Sequence, residues 1–390
     1  MKIFLMILVL TNSLQLFAKK SERIVFSGTK KNKNSRHDSQ NNQPNRTVSG
    51  TESTKKITIS FTGDLIIHDD LYKKVLKDKK HDFVKIWEKT LPLFAKADFS
   101  YLNLEGPTAL GINDKLVDKG DVGFTYDLDV YSGTNFLFNY HPSLIDSLIK
   151  TGVDIVSTAN NHTFDRGSVG VDKTIDALIE KNLSYVGTRK SKEQKADQFT
   201  ITEIKDFKIA WVACSEALNG FKDKNSQILL CYKQKDKLLE IVKTLKKDKT
   251  IDAILVMPHW GVEYSHDPNK LQKNLAHDLL DAGAIAVIGS HPHVLQPVEK
   301  YVTKDNRETF IAYSLGNFVA FQRDVDRKSS ALIYLDFEKT DTNETVISKY
   351  SYEPTTRSST SVFPARHLKT VIEHVEKYLG PIDPAEESQN

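Results

Sequence analysis

The chain has 390 residues, 39% of them hydrophobic, enough for a large core, and its 54 basic and 51 acidic side chains leave a formal charge of +3. That balance argues against a dedicated nucleic-acid binder, which carries a basic domain or stripe, so no nucleic acid is expected as a partner. Cys214 and Cys231 are the only cysteines, which excludes a disulfide scaffold and leaves one bridge or two buried thiols as alternatives.

Lys2 precedes an unbroken apolar run, Ile3 to Leu10, and Leu16-Phe17-Ala18 follows. This is the layout of a secretory signal over residues 1–18, and the run falls short of the roughly 20 apolar residues that span a bilayer. The expectation is an exported protein, periplasmic, cell-envelope associated or secreted, with an uncleaved anchor as the alternative. Residues 19–54 are rich in Lys, Asn, Ser, Gln and Thr. They hold too little apolar surface to offset chain entropy and read as a disordered tether.

Folded structure is expected over 55–380, with a polar tail at 381–390. Ile57, Ile59 and Phe61 alternate with Thr58 and Ser60, the period of a strand that ends at Gly63-Asp64. A helix is predicted over 70–97, a strand over Phe99–Leu104, an excursion over 111–135, and a helix from Pro142 to Gly152. The same sequence recurs with strand Val153–Ser157 and helix Val169–Lys181. Further strands are predicted at Ile209–Cys214, Ala253–Met257 and Ala284–Ile288, with helices at 234–247 and 268–282. Segments 309–320, 331–337 and 343–352 read as later strands at hairpin spacing. Such alternation predicts a layered α/β fold whose sheet is not purely parallel.

Polar residues gather directly after the apolar strands. The five segments are Thr62-Gly63-Asp64, Asn103-Leu104-Glu105-Gly106, Ala159-Asn160-Asn161-His162, Pro258-His259-Trp260-Gly261 and Gly289-Ser290-His291-Pro292-His293. Ligands of open α/β sheets bind beyond the carboxyl ends of strands, where such loops converge. Carboxylate oxygens with imidazole nitrogens suit Zn, Mn or Fe, and His291-x-His293 on an extended segment can bracket two ions. Asp165 is placed to orient His162, and Arg166 to meet an anionic substrate through its planar fork. Glu263 and Tyr264 near His259, and Ser314 and Asn317 from a late strand, are candidate lining residues. His266, His277, His367 and His374 lack such a setting and read as surface residues.

The segments Gly63-Asp64-x-x-x-His68, Asn103-x-Glu105, Ala159-Asn160-Asn161-His162-x-x-Asp165, His259-Trp260-Gly261-x-Glu263-Tyr264, Gly289-x-His291-Pro292-His293 and Ser314-Leu315-Gly316-Asn317-Phe318 resemble the CapA family. That family is associated with poly-γ-glutamate capsule synthesis and belongs to the calcineurin-like metallophosphoesterase superfamily. The resemblance covers residues 57 to 320 in order. It implies a layered β-sandwich flanked by helices and a centre of two divalent metal ions. Asp64 and His293 would hold the first ion, Asn161, His259 and His291 the second, and Glu105 would bridge them. His162 would face the scissile group. His68 lies four residues after Asp64, where the superfamily has Asp-x-His, and is a candidate ligand or supporting group. Glu105 stands where an Asp is usual, with Asn103 and Asn160 beside it. The expected function is an exported metal-dependent hydrolase acting on a phosphoester or related bond in an anionic envelope polymer. The alternative is a non-catalytic polymer-binding or export and assembly factor. Membrane-bound capsule synthesis and export proteins are candidate partners in either case.

Overall fold

The computed structural model describes residues 55–133 and 136–382. The signal segment expected at 1–18, the tether at 19–54 and the tail beyond residue 382 lie outside the described residues. The strands in chain order are β1 (Lys56–Leu65), β2 (Phe99–Leu104), β3 (Ile155–Ser157), β4 (Ser184–Val186), β5 (Phe199–Ile204), β6 (Phe207–Ser215) and β7 (Ala253–His259). They continue as β8 (Ala286–Ile288), β9 (Val298–Val302), β10 (Glu308–Ala312), β11 (Asn317–Val319), β12 (Ser329–Lys339), β13 (Thr345–Ser358) and β14 (Ser361–Pro364).

Two sheets result. The first runs β14-β13-β12-β1-β2-β3-β4, with β11 also pairing β1, and the second runs β5-β6-β7-β8-β10-β9. Strands β1 to β4 pair in parallel, as do β6, β7, β8 and β10, whereas β12 to β14, β5 and β9 add antiparallel edges. Side-chain alternation explains the layering. In β6, Ile209, Trp211 and Ala213 join the core between the sheets, while Ala210, Val212 and Cys214 join the core under the outer helices. A strand buried on both faces reads as a continuous apolar run, and this one does. Trp211 stacks against Phe99 and Tyr101 of the opposite sheet, at 5.5 and 6.1 Å between ring centroids.

Helix Ser143–Thr151 places Leu144, Ile145 and Leu148 on the outside of the first sheet. Helices Lys235–Lys247 and Lys270–Ala282 cover the second with Leu238, Val242, Leu275 and Leu279. The order is therefore helix, sheet, sheet, helix: the layered α/β fold that the strand and helix alternation predicts, in the sandwich form that the family resemblance implies. Helix Lys270–Ala282 starts at a capping box in which Asn269 and Gln272 satisfy each other's backbone N–H. Helix Lys369–Leu379 inserts Val371, Val375 and Leu379 into the inter-sheet core.

Three expectations need correction. The helix predicted over 70–97 is a set of short pieces, Asp69–Leu76, Val84–Trp87, Glu88–Thr90 and Leu91–Phe94. The charged run 77–82 has no apolar face to bury, His81 takes a left-handed backbone, and Pro92 opens a new turn. The strand predicted over 309–320 is two strands in different sheets, because left-handed Gly316 turns the chain from β10 toward β11. Strands β4, β5, β9 and β14 and helix Lys369–Leu379 were not expected. Of the two alternatives for the cysteines, the disulfide is the one formed: Cys214 and Cys231 are bonded, with Cα atoms 5.1 Å apart. Among the described residues no helix is long and apolar enough to cross a membrane.

Candidate metal centre

Parallel pairing aligns the strand ends that carry the polar residues. Asp64 on β1 sits level with Asn103 on β2 and Asn317 on β11, while His259 at the end of β7 is bridged to Ser290 after β8. This register requires the backbones at Gly63 and Gly316 to touch. A β-carbon on Gly63 would lie 1.9 Å from the Gly316 carbonyl oxygen, which accepts the Asp64 N–H at 2.9 Å. His291 and His293 take left-handed backbone, φ 101° and 59°, which is uncommon outside glycine. The loop is held there from both sides. The His291 N–H donates to Asp64 Oδ2 at 3.2 Å, and Asn317 Nδ2 donates to the His293 carbonyl at 3.0 Å.

Two groups of ligand atoms result, each within 4.8 Å of one another, and they share Glu105. In the first, His293 Nδ1 lies 3.1 Å from Asp64 Oδ2, and His293 Nε2 lies 3.7 Å from Glu105 Oε1. In the second, His259 Nε2 lies 3.7 Å from Glu105 Oε1, 3.1 Å from His291 Nδ1 and 3.0 Å from Asn161 Oδ1. Asp64 and Glu105 are fully buried, and His259 nearly so. Glu105 Oε1 is buried without a hydrogen-bond partner while three imidazoles face it, the third being His162 at 4.0 Å. A buried charged oxygen left without a partner is costly, and a cation between these groups would satisfy it. The residues therefore fit a divalent metal, and the O and N donors suit Zn, Mn or Fe.

Burial, with Asp64 and Glu263 adding to it, raises the Glu105 carboxyl well above its ordinary range. Burial and the neighbouring imidazoles push His259 well down, and His291 to about 4. His259 and His291 are thus neutral, the form that coordinates metal, and a bound cation would favour the Glu105 carboxylate over the acid.

Supporting residues fix the donors. Asn103 Nδ2 donates to Asp64 Oδ1 at 2.8 Å and to Glu105 Oε2 at 3.4 Å, so the amide holds the longer carboxylate in place. Asn160 Nδ2 donates to the Leu104 carbonyl at 2.8 Å, and its Oδ1 accepts the His162 N–H. His162 Nδ1 lies 2.8 Å from Asp165 Oδ2, which also accepts the Phe138 N–H at 2.7 Å. At the mouth, exposed Glu263 reaches His291 and His293, and the Tyr264 ring lies 6.1 Å from that of His293.

Two expectations change. Arg166 does not face the site: it is fully buried, and its guanidinium donates to the carbonyls of Ile112, Leu137, Asp165 and Val130 and to Ser132 Oγ. The excursion after β2 uses up its fork. His68 lies outside both ligand groups. Its Nδ1 accepts the Phe321 N–H at 3.1 Å, and burial pushes its imidazole down to about 4. Sequence reasoning missed Ser290, whose Oγ lies 2.9 Å from His259 Nδ1, and Asn219, whose Oδ1 accepts from Asn161 Nδ2 at 3.3 Å. Asn219 follows β6 as the other polar segments follow their strands, and that position was the available signal.

The family described as "Bacterial capsule synthesis protein PGA_cap" matches residues 58–322. The chain is 29% identical over 293 residues to the PGA biosynthesis protein CapA of Bacillus subtilis (strain 168), covering 75% of this chain and 70% of that one. It is 28% identical over 283 residues to the capsule biosynthesis protein CapA of Bacillus anthracis, covering 72% of this chain and 63%, less than two thirds, of that one. Among solved structures it is similar to the Haemophilus influenzae NAD nucleotidase, at 12% identity and a TM-score of 0.44 over 85% of this chain and 65% of that one. A likeness at that level decides nothing about activity. The family match runs from β1 past β11 and takes in every ligand loop described above, and the chain belongs to the bacterial capsule synthesis protein family PGA_cap.

Proposed function

We propose that this chain is an exported hydrolase, dependent on two divalent metal ions, that acts on a phosphoester or related bond in an anionic capsule or envelope polymer. One observation carries the reading: Glu105 is shared by two groups of metal-binding atoms, with the His162–Asp165 pair directed at it. Two ions there would supply the Lewis acidity that polarises a phosphoryl or acyl oxygen and makes water acidic enough to react near neutral pH.

The remaining roles belong to the chain. Asp165 accepts from His162 Nδ1, which fixes the ring and leaves Nε2 turned toward Glu105. In the imidazolium form, whose charge Asp165 stabilises, Nε2 would carry the proton that a leaving group on the substrate side takes, and the ring would return to its neutral Nδ1–H form. Asn103 and Asn317 keep Asp64, Glu105 and His293 aimed inward without being consumed. Glu263, Tyr264 and Arg327 line the mouth, where the Arg327 guanidinium, paired with Asp324, lies over the Tyr264 ring at 5.0 Å. Export is supported by the apolar run at residues 3–10 and by the Cys214–Cys231 bridge, a bond that persists in oxidising compartments. Relatives named for capsule biosynthesis support an envelope polymer as the substrate class.

The test is direct. Purified residues 55–390 are analysed for bound metal, then assayed on phosphomonoesters, phosphodiesters and γ-glutamyl peptides with added Mn or Zn. Turnover that a chelator abolishes is the expected result. A protein that holds metal and binds polyglutamate yet turns over none of these would be an assembly factor instead.

A further inference from the structure

A second constellation of metal-binding side chains lies apart from the centre. His266 comes from the loop after β7, Asp326 from the helical turn Val325–Lys328, and His374 from helix Lys369–Leu379. One ligand atom from each lies within 4.8 Å of the other two. We propose that His266, Asp326 and His374 form a further binding site for a divalent transition metal of the zinc class, which fastens the C-terminal helix to the mouth of the centre.

Four observations support it. The His266 Nδ1–H donates to the Leu295 carbonyl at 2.7 Å, which fixes the tautomer and leaves Nε2 with a free lone pair toward Asp326, 3.9 Å away. A backbone carbonyl behind the ring is the usual support of a metal-ligating histidine. His374 Nδ1 lies 3.5 Å from Asp326 Oδ1, and its Nε2 is buried with no partner among the described residues. These separations are too long for good hydrogen bonds. They match the roughly 3.3–3.5 Å between ligands around a tetrahedral zinc after a small closing movement, since Zn–N and Zn–O bonds are about 2.0–2.2 Å.

The rings are also preset. His266 stacks on Tyr378 at 4.4 Å, and His374 meets His266 edge-on at 5.5 Å. Burial lowers the His374 imidazole, which keeps it neutral and available as a lone-pair donor. Finally, no lysine or arginine pairs with Asp326 among the described residues. Its neighbour Arg327 is committed to Asp324, with Nε 2.6 Å from Oδ2. The carboxylate is 61% exposed, so it can swing to meet an ion arriving from solvent. Two nitrogens and one carboxylate oxygen suit Zn, Co or Fe(II), with remaining positions open to water.

The consequence is local order at the centre's mouth. His266 is two residues from Tyr264, and Asp326 adjoins Arg327, which covers the Tyr264 ring. An ion joining positions 266 and 326 would hold both sides of that pair. The site does not depend on the proposed hydrolase activity, and the test keeps the two apart.

Full-length protein is stripped with a chelator and dialysed against micromolar Co²⁺, and bound cobalt is counted by elemental analysis. The proteins compared are the wild type, Glu105→Ala, and Glu105→Ala combined with Asp326→Asn or with His374→Gln. Glu105→Ala is expected to retain one cobalt that both double variants lose. Zn²⁺ is expected to raise the thermal midpoint of Glu105→Ala and to leave that of the Asp326→Asn double variant unmoved. Because Asp326 is exposed, that variant keeps its fold, which circular dichroism verifies. Equal cobalt in Glu105→Ala and its Asp326→Asn derivative, or equal midpoint shifts, overturns the proposal.

Discussion

The two sheets contribute to the centre in different currencies of chemistry. The first, through β1, β2 and the segment after β3, supplies oxygen: Asp64, Glu105 and the Asn161 amide. The second, through β7 and the loop after β8, supplies nitrogen: His259, His291 and His293. Neither of the two groups that share Glu105 is complete within one sheet. The centre exists only along the seam where the sheets pack, so ion binding and sheet packing are linked, and whatever weakens one weakens the other.

That division can be attacked from both sides. The largest effect is expected at the shared residue: Glu105→Ala should empty both groups, whereas Asp64→Asn and His291→Ala should each cost one ion. Elemental analysis decides this, and full metal content in Glu105→Ala would end the idea of a bridging carboxylate. An ion at about 100 times its Kd adds about 2.7 kcal/mol, so chelation should lower the melting temperature by several degrees and do so less in Glu105→Ala. Of the imidazoles that face Glu105, His162 is the one from the first sheet. His162→Ala should cut turnover by about 10²- to 10⁴-fold while metal content stays whole; loss of metal would move it into the ligand set.

Arg166 tests the boundary between site and scaffold. Arg166→Ala strips the donors from four carbonyls and should cost roughly 3 kcal/mol or more of stability, with metal content unchanged in the folded fraction. Lys should not restore it, because one ammonium cannot serve a fan of acceptors. A variant with native stability and a raised KM would return Arg166 to the substrate side. The smallest effect on the centre itself is at the bridge in the second sheet. Replacing Cys214 and Cys231 by Ala releases a loop with a sequence separation of 17 and should cost about 3 kcal/mol in denaturant unfolding, with metal content intact.

The ligand loops were legible in the sequence because each follows a short apolar strand, and parallel strands deliver their ends to one edge. Asp64, Glu105, Asn161, His259, His291 and His293 accordingly meet where the strand pattern places them. What sequence could not show was direction. Arg166 follows Asp165 by one residue, yet the two side chains leave the chain on opposite errands, one to His162 and one to the excursion behind it. His266 and His374 read as unrelated surface residues because only helix Lys369–Leu379, itself unforeseen, brings them together. The charged run 77–82 carried helix-forming residues with nothing to pack on, and tertiary context overrode propensity.

Gly63 bears on how the centre can vary. Exchange of the proposed ligand His291 would cost an ion, with the strands left standing. A single methyl at position 63 would instead collide with the Gly316 carbonyl at 1.9 Å and push β1 away from β11. Both Asp64 and the Asn317 that steadies His293 ride on that contact. Chemistry at this edge is therefore open to revision one side chain at a time, while the least replaceable position is the one that contributes no side chain at all.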